Sequence, residues 1–199
     1  MPRISAPTVA ENREQRRTAL LGAAAALTLR SGAFTVAEVT AEVGLSRSAF
    51  YEYYSSAADL VADVLIDELE HWHDALAAAT AGAASAPDRV TAWITAVLAY
   101  VADGRHALLR AAGSVELPQP RRDEVQRRHR ALVQPLADAL DDMGVPDAAL
   151  TAALVWGAVD AMVGRIESGG ITAEQAGPVV IGFVNGGLPA LVRTVDPLP

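Results

Sequence analysis

The chain alternates between Ala-rich amphipathic segments and short breaks made of Gly, Ser and Pro. Apolar residues recur three or four positions apart along most of the sequence, and no segment sustains the every-second-residue alternation of a strand. This spacing places the apolar side chains on one face of a helix. The pattern therefore predicts an all-α protein with about nine helices joined by short loops.

The breaks also predict where each helix begins and ends. Gly32, Gly44 and Pro118 are examples of residues that interrupt the apolar periodicity. The predicted helices span residues 13–30, 35–43, 46–54, 57–79, 88–102, 105–113, 119–142, 147–167 and 173–194.

Residues 35–54 have the spacing of a helix-turn-helix. Thr35 and Glu38 form a capping-box pattern, Gly44 suits a left-handed turn position, and Ser46 can cap the second helix. An arginine at the start of such a helix can read guanine, and a serine can contact several base edges. The segment therefore predicts contact with double-stranded DNA. The outward side chains of the second helix are Arg47, Ser48, Tyr51 and Tyr53.

The run from Phe34 to Tyr54, followed by Asp59 and Leu60, resembles the DNA-binding signature of the TetR (tetracycline-repressor-like) family. The resemblance covers about residues 13–62. It implies an Ω-shaped homodimer on a palindromic operator, a C-terminal effector pocket, and dimerisation through the last two helices. By position, the resemblance implies that Thr35, Tyr51 and Tyr53 contact phosphates and that Arg47 and Ser48 face the bases. Ser46 is the sixth predicted DNA-binding residue.

These features divide the chain into three predicted regions. Residues 1–12 are polar and contain prolines, which indicates a flexible arm. Residues 13–56 form the helix-turn-helix DNA-binding domain, and residues 57–199 form the effector-binding and dimerisation domain. We thus expect an N-terminal three-helix domain followed by a C-terminal helical bundle.

Charge limits the predicted affinity for DNA. The net charge of the chain is -8, and residues 1–60 contain as many acidic residues as arginines, whereas nonspecific DNA binding requires positive charge. Glu52 stands where the family signature commonly has a neutral or basic residue, and Ala57 stands where it commonly has a lysine. Both differences weaken the attraction to phosphates. Two alternatives stay open. The module binds DNA weakly unless Arg13, Arg16, Arg17 and the N-terminal arm add contacts, or it is a helical subdomain whose tyrosines only pack.

The C-terminal region contains candidate effector-binding residues. Aromatic residues are scarce at 5%, yet several lie on helices predicted to surround a central cavity. His129 lies on the apolar stripe of an arginine-rich helix. It is either a core histidine that is hydrogen-bonded inside the bundle or a polar anchor for an effector. The arginines at positions 121–130 are interpreted as a solvated face. The effector candidates are Trp72, Trp93, Tyr100, His129 and Trp156.

The last two helices carry more apolar surface than one bundle edge can cover, and interleaved glycines permit close approach. This favours a homodimer face, with burial within the chain as the alternative. The predicted interface residues are Leu154, Val159, Met162, Ile181, Val184 and Leu188.

Other function classes find little support in the sequence. Cys is absent, which excludes disulfides and thiolate chemistry. His71 and His73 lie about 200° apart on a helix, so we expect no metal site, and no cofactor motif or catalytic arrangement is recognisable. Without a secretion signal or a membrane-spanning segment, we expect a cytoplasmic protein and no membrane partner.

We therefore predict a non-enzymatic, ligand-responsive transcriptional regulator. The expected mode is a repressor that a small, largely apolar molecule releases from its operator. The alternative is a helical small-molecule-binding or scaffold protein whose helix-turn-helix has little affinity for DNA.

Overall fold

A computed structural model describes residues 8–193, and within them it contains helices and no strand, which confirms the all-α prediction. The helices are α1 (Val9–Ser31), α2 (Val36–Glu42), α3 (Arg47–Phe50), α4 (Ala57–Ala81), α5 (Ala86–Ala102), α6 (His106–Ala112), α7 (Gln119–Ala131), α8 (Gln134–Asp142), α9 (Ala148–Glu167) and α10 (Ala173–Arg193).

Helix α1 begins at Val9, four residues earlier than predicted. Thr8 caps it, because its side chain accepts a hydrogen bond from the Glu11 N–H while the Glu11 carboxylate accepts one from the Thr8 N–H. Residues 9–12 of the predicted arm are therefore helical. Residues 1–7 of that arm lie outside the described residues.

The helix predicted over residues 119–142 is two helices, α7 and α8. Pro135 has no N–H and cannot continue the backbone hydrogen-bond ladder, so the chain breaks just before it. The N–H groups of Leu132 and Val133 bond only three residues back, to the carbonyls of His129 and Arg130. The last residue of the predicted final helix, position 194, lies outside the described residues.

The chain divides into two compact units, one made of residues up to 68 with 107–125, the other of 69–106 with the residues from 126 onward. The division falls within α4, α6 and α7. The functional boundary at residue 57 stays a prediction. In the first unit, the apolar faces of α1, α2 and α3 meet in one core around Leu20, Leu27, Val39, Phe50 and Leu60.

In the second unit, α5 is the central helix. It packs against α8, α9 and α10, and α8 packs against α9. Trp93, Ile94 and Val97 of α5 are fully buried, as are Leu136 and Leu140 of α8. This arrangement follows from the apolar periodicity of α5, which leaves little of its surface for solvent.

Helix α9 exposes large apolar side chains, as α10 also does. By length and composition α9 could cross a membrane, as core helices of soluble proteins also could, and 28% of its most apolar stretch is buried. The sequence analysis found no such segment, because Thr151 and Asp160 interrupt the run of apolar residues. The rest of the helix therefore offers apolar surface for other contacts.

Candidate nucleic-acid interface and aromatic cluster

The turn between α2 and α3 is closed by local hydrogen bonds. Gly44 adopts a φ of 68°, the left-handed conformation that glycine favours. The Leu45 N–H donates to the Thr40 carbonyl at 2.9 Å, which completes a Schellman end for α2. Ser46 then caps α3 by accepting a hydrogen bond from the Ala49 N–H at 3.1 Å. These bonds hold the two short helices in a defined orientation.

One face of α3 is anchored in the core of the first unit. Phe50 is fully buried, and its ring lies 5.7 Å from that of Tyr54, which is also buried. The α-helical part is only Arg47–Phe50, shorter than predicted, and hydrogen-bonded turns continue it to Tyr54. The predicted DNA-binding residues Ser46, Arg47, Ser48 and Tyr51 are exposed, and Tyr53 is half-buried.

Thr35 is also exposed, but its hydrogen-bonding groups are already engaged. Its hydroxyl and its N–H both donate to the Glu38 carboxylate, at 2.8 and 2.7 Å. These two hydrogen bonds hold the pKa of Glu38 below its usual value. A negative charge therefore lies at the start of α2, where the family resemblance implies a phosphate contact from Thr35.

A groove of about 260 Å³ lies beside Tyr53 in the first unit. Val9, Asn12 and Arg16 of α1 line it together with Glu52. Arg13 spans the groove, with its guanidinium 5.6 Å from the centre of the Tyr53 ring and a hydrogen bond to the Glu52 carbonyl at 3.2 Å. Two arginines of α1 thus lie next to the C-terminal end of the second helix of the helix-turn-helix.

Arg17 turns to a different partner, Asp63 of α4. The carboxylate of Asp63 accepts a hydrogen bond from Arg17 at 2.7 Å and a second one from Arg121 of α7. Asp63 is largely buried, with 15% of its side chain exposed, and its negative charge raises the pKa of Arg17. We call Arg17, Asp63, Arg121 and Tyr54 the polar node.

Tyr54 is the neutral member of the polar node. Burial first, and the charge of Asp63 second, raise the pKa of its phenol to about 12. Its buried hydroxyl has no hydrogen-bond partner within the described residues. The charge of Arg17 lowers the pKa of the phenol and thereby opposes the effect of Asp63. The sequence analysis did not identify Asp63, because a carboxylate on an amphipathic helix is ordinarily a solvated residue.

The arginines of α7 have mixed surroundings. Arg121 is half-buried and also pairs with Glu124 at 2.9 Å, while Arg128 pairs with Glu70. Arg127 and Arg130 are exposed. The interpretation of positions 121–130 as a solvated face therefore fails at Arg121, whose position beside Asp63 the helical periodicity does not reveal.

The second unit brings the five predicted effector residues into one aromatic cluster. Trp72 and Tyr100 stack with their ring centres 4.6 Å apart and their planes 6° from parallel. Trp156 lies 6.2 Å from Trp72, 5.9 Å from Trp93 and 5.5 Å from His129. We call Trp72, Trp93, Tyr100, His129 and Trp156 the aromatic cluster.

The aromatic cluster extends from the interior to the surface. Trp72, Trp93 and Tyr100 are buried, Trp156 is half-buried, and His129 is exposed. The exposure of His129 argues against the alternative of a core histidine, and its role toward an effector stays a prediction. The Trp156 ring packs edge-on to the His129 ring. Partial burial of the His129 imidazole, followed by the charge of His106, lowers the pKa of His129, and the charge of Asp160 opposes the shift.

The two buried indoles of the cluster differ in their hydrogen bonds. Trp93 Nε1 donates to the Leu132 carbonyl at 3.0 Å, but Trp72 Nε1 has no partner within residues 8–193. His106 packs edge-on to Trp72 at 5.6 Å and forms a hydrogen bond to Glu167 at 2.7 Å. The sequence analysis missed His106, because a single histidine at a helix start carries no distinctive signal.

Metal ligands do not converge in the described part of the chain. No group of three His, Asp or Glu side chains there is placed to hold a metal ion. His71 and His73 are two positions apart on α4, about 200° around its axis, so the two histidines do not share a face of the helix.

An apolar groove of about 420 Å³ lies between α9 and α10. Leu154 and Phe183 line it with 67% and 73% of their surfaces exposed. Of the predicted interface residues, Val184 and Leu188 line the groove from below, Met162 and Ile181 are half-buried, and Val159 is fully buried. Val159 therefore cannot contact a partner directly, because it packs inside the chain. The sequence analysis missed Phe183.

Known structures share this fold. A protein of Pseudomonas aeruginosa PAO1, assigned as a transcriptional regulator, is 25% identical with a TM-score of 0.73, and the match covers 92% of this chain and 94% of that one. A TetR/AcrR-family transcriptional regulator of Thermobifida fusca YX-ER1 is 17% identical with a TM-score of 0.71, covering 87% and 98%. The chain therefore has the fold of TetR-family transcriptional regulators.

The same fold also occurs in a structure that is not described as a transcriptional regulator. The solved structure of superantigen pfit is 20% identical with a TM-score of 0.65, and the match covers 83% of this chain and 86% of that one. No protein-family model matches the sequence, and no curated protein matches it significantly.

Proposed function

We propose that the protein is a cytoplasmic, non-enzymatic DNA-binding transcriptional regulator that acts as a homodimer and responds to a small molecule. The observation that carries the proposal is the exposed side of α3, with Arg47 and Ser48 held outward by the buried ring of Phe50 and by the cap at Ser46. A helix presented in this way fits the major groove, where arginine and serine distinguish bases.

The groove beside Tyr53 supports the second part of a DNA interface. Arg13 and Arg16 are the arginines of α1 that lie next to Tyr53, whereas Arg17 is paired with Asp63. Phosphate contacts supply most of the sequence-independent affinity of DNA-binding proteins. In our proposal Arg13, Arg16, Tyr51 and Tyr53 hold the DNA backbone, and Arg47 and Ser48 read the bases. Thr35 joins the phosphate contacts only if Glu38 releases it.

Titration of fluorescent duplexes from around the coding region tests this division of roles. We expect salt-sensitive binding by the wild type, a loss of about tenfold or more on the selected site for Arg47→Ala, and relaxed base preference for that variant. Tyr53→Phe should weaken binding to all sequences alike. Arg165→Ala, which removes an arginine of α9, is the matched control for charge. Equal effects of both variants on every sequence would contradict the assignment.

A second candidate function is small-molecule binding with little DNA affinity. Glu38 at the start of α2 and Glu52 beside Arg13 favour it, because both place negative charge where phosphates would approach. Binding of aromatic ligands without DNA binding at low salt would support this candidate against the first.

We propose that two copies associate through the α9–α10 groove. Phe183 and Leu154 are too exposed for apolar residues of a soluble monomer, and Gly187 leaves the groove open for a side chain of a second copy. Two such faces, related by a two-fold axis, match a palindromic operator.

Sedimentation of Phe183→Glu tests the association. We expect a wild-type dimer and a predominantly monomeric variant at micromolar concentration, because a buried unpaired charge opposes association. Leu29→Glu is the matched control, since Leu29 of α1 is also exposed, at 56%, but lies outside the groove. A monomeric wild type at working concentration would refute the homodimer.

The aromatic cluster is our proposed effector site. Its stacked and edge-on rings provide a large apolar surface that continues to the exterior through Trp156 and His129. In this proposal a small, largely apolar molecule binds there and releases a repressor from its operator. DNA titration with and without a bound aromatic compound measures the response and its direction.

A further inference from the structure

The indole N–H of Trp72 is a buried hydrogen-bond donor that no described residue satisfies. The side chain is 1% exposed, and Nε1 has no acceptor within residues 8–193. Trp93, in the same aromatic cluster, shows the usual situation, because its N–H donates to the Leu132 carbonyl at 3.0 Å. Buried donors in proteins are nearly always paired, so an unpaired one indicates an acceptor from outside the chain.

The surroundings of Trp72 favour a planar acceptor. Tyr100 stacks on its ring, and His106 meets it edge-on at 5.6 Å. His106 is itself oriented by its 2.7 Å hydrogen bond to Glu167. The guanidinium of Arg105 lies 5.7 Å from the centre of the Tyr100 ring, which places a cation on the same stack. Aromatic faces bind flat ligands, and the N–H and the cation both favour an oxygen acceptor.

Ring contacts connect Trp72 with the surface of the second unit. His129 is exposed, and its ring lies 5.5 Å from the half-buried Trp156. Trp156 in turn lies 6.2 Å from Trp72. In the proposal below, a ligand that displaces these rings from the His129 side reaches the unpaired donor.

We propose that the Trp72 N–H is the hydrogen-bond anchor of a small planar aromatic ligand that carries a carbonyl or carboxylate oxygen. The inference rests on the proposed function, because it takes the aromatic cluster as the effector site and adds the chemistry of the effector. Trp93 has a different role: its N–H fastens α5 to the Leu132 carbonyl and is not offered to a ligand.

Calorimetric titration of the full-length protein with three naphthalenes tests the anchor. 2-Acetonaphthone and 2-ethylnaphthalene have nearly the same shape and differ in the carbonyl oxygen, and 2-naphthoate adds a negative charge. We expect 2-acetonaphthone or 2-naphthoate to bind the wild type about tenfold more tightly than 2-ethylnaphthalene. Trp72→Phe should abolish this preference, because it keeps the aromatic ring and removes the donor. Trp93→Phe, which removes an N–H that is already paired within the chain, should weaken all three compounds alike and leave the ratio of their affinities unchanged.

Thermal unfolding without ligand provides a second test. Trp72→Phe and Trp93→Phe both remove the volume of a buried indole, which lowers the Tm in each case. Trp93→Phe should have the lower Tm of the two, because it also leaves the Leu132 carbonyl unpaired, whereas Trp72→Phe removes a donor that has no partner within residues 8–193. If Trp72→Phe lowers the Tm as much as Trp93→Phe, the N–H has a structural partner such as a bound water, and the proposal is overturned.

Nuclear magnetic resonance of ¹⁵N-labelled indoles keeps the proposal testable if a variant is poorly folded. The Trp72 N–H resonance of the wild type should shift downfield on addition of 2-acetonaphthone more than that of Trp93. Absence of binding by all three naphthalenes, or equal affinity of 2-acetonaphthone, 2-naphthoate and 2-ethylnaphthalene, overturns the anchor. Neither result bears on DNA binding, which the duplex titration decides separately, and failure of DNA binding leaves the ligand result standing.

Discussion

In the unit that contains α1, α2 and α3, the Asp63 carboxylate serves two arginines, whereas in the unit around α5 the Trp72 N–H has no partner within the described residues. Asp63 and Trp72 are both largely buried, and each lies where several helices meet. The Asp63 carboxylate is paired within the polar node, although the Tyr54 hydroxyl there also has no hydrogen-bond partner, and this pairing suits a segment that must keep one conformation. The aromatic cluster leaves a donor for another molecule, which suits a segment whose state depends on a ligand.

The largest expected effect tests whether the polar node stabilises the first unit. Asp63→Asn leaves two guanidinium groups without their shared carboxylate, so we expect the free energy of unfolding to fall by about 2–3 kcal/mol. This is below the usual loss for a fully buried pair, because Arg17 remains half exposed. Urea unfolding measures the change.

Glu14→Gln is the matched control for Asp63→Asn. Glu14 lies 3.8 Å from the same Arg17, but 68% of its side chain is exposed. An exposed ion pair contributes little, so we expect a change below about 0.5 kcal/mol. Equal losses for the two variants would show that burial of Asp63 does not distinguish the polar node.

An intermediate effect concerns alkaline pH. The phenol of Tyr54 ionises at a pKa of about 12 in the folded chain and about 10 when unfolded, so stability should be lost as the pH rises from 10 to 12. The chain contains no lysine, which leaves few other groups that titrate in this range. Tyr54→Phe should flatten the pH dependence of the urea midpoint between pH 9 and 11.5. If the urea midpoint of Tyr54→Phe depends on pH as steeply as that of the wild type, the pKa of Tyr54 is not raised by its surroundings in the polar node.

The smallest effect is expected in the aromatic cluster at acidic pH. Partial burial and the charge of His106 lower the pKa of His129, so the unfolded chain takes up this proton before the folded one does. Stability should therefore decline as the pH falls below the unfolded value of about 6.5. His129→Gln should reduce the decline between pH 7 and 5.5, as measured by urea unfolding. A steeper decline in the variant would reverse the assigned direction.

Local signals made the helix-turn-helix predictable. The Thr35 and Glu38 box, Gly44 at the turn and Ser46 at the start of α3 act within a few residues of one another, and each has its predicted conformation. Pro135 was an equally local signal for the end of α7, but the apolar periodicity across it obscured the break. The start of α1 was misjudged for the same kind of reason, because Thr8 and Glu11 form a capping box within a polar stretch.

The residues of the aromatic cluster were chosen from their scarcity and from the family resemblance, and the structure brings them together. Their hydrogen bonds could not be predicted in this way. Trp93 and the Leu132 carbonyl are 39 positions apart, and His106 and Glu167 are 61 apart. Whether an indole donor finds an acceptor depends on which backbone carbonyl another helix presents to it.

By itself, the sequence determined the helical fold class, the caps and turn of the helix-turn-helix, and the amphipathic faces, because backbone propensity and periodicity act over a few residues. Only the tertiary structure decided that Asp63 receives Arg17 and Arg121, that Val159 turns inward while Phe183 turns outward, and that Trp72 has an unpaired donor. These outcomes depend on the packing of helices that are distant in sequence, and small rotations of a helix change which side chains meet.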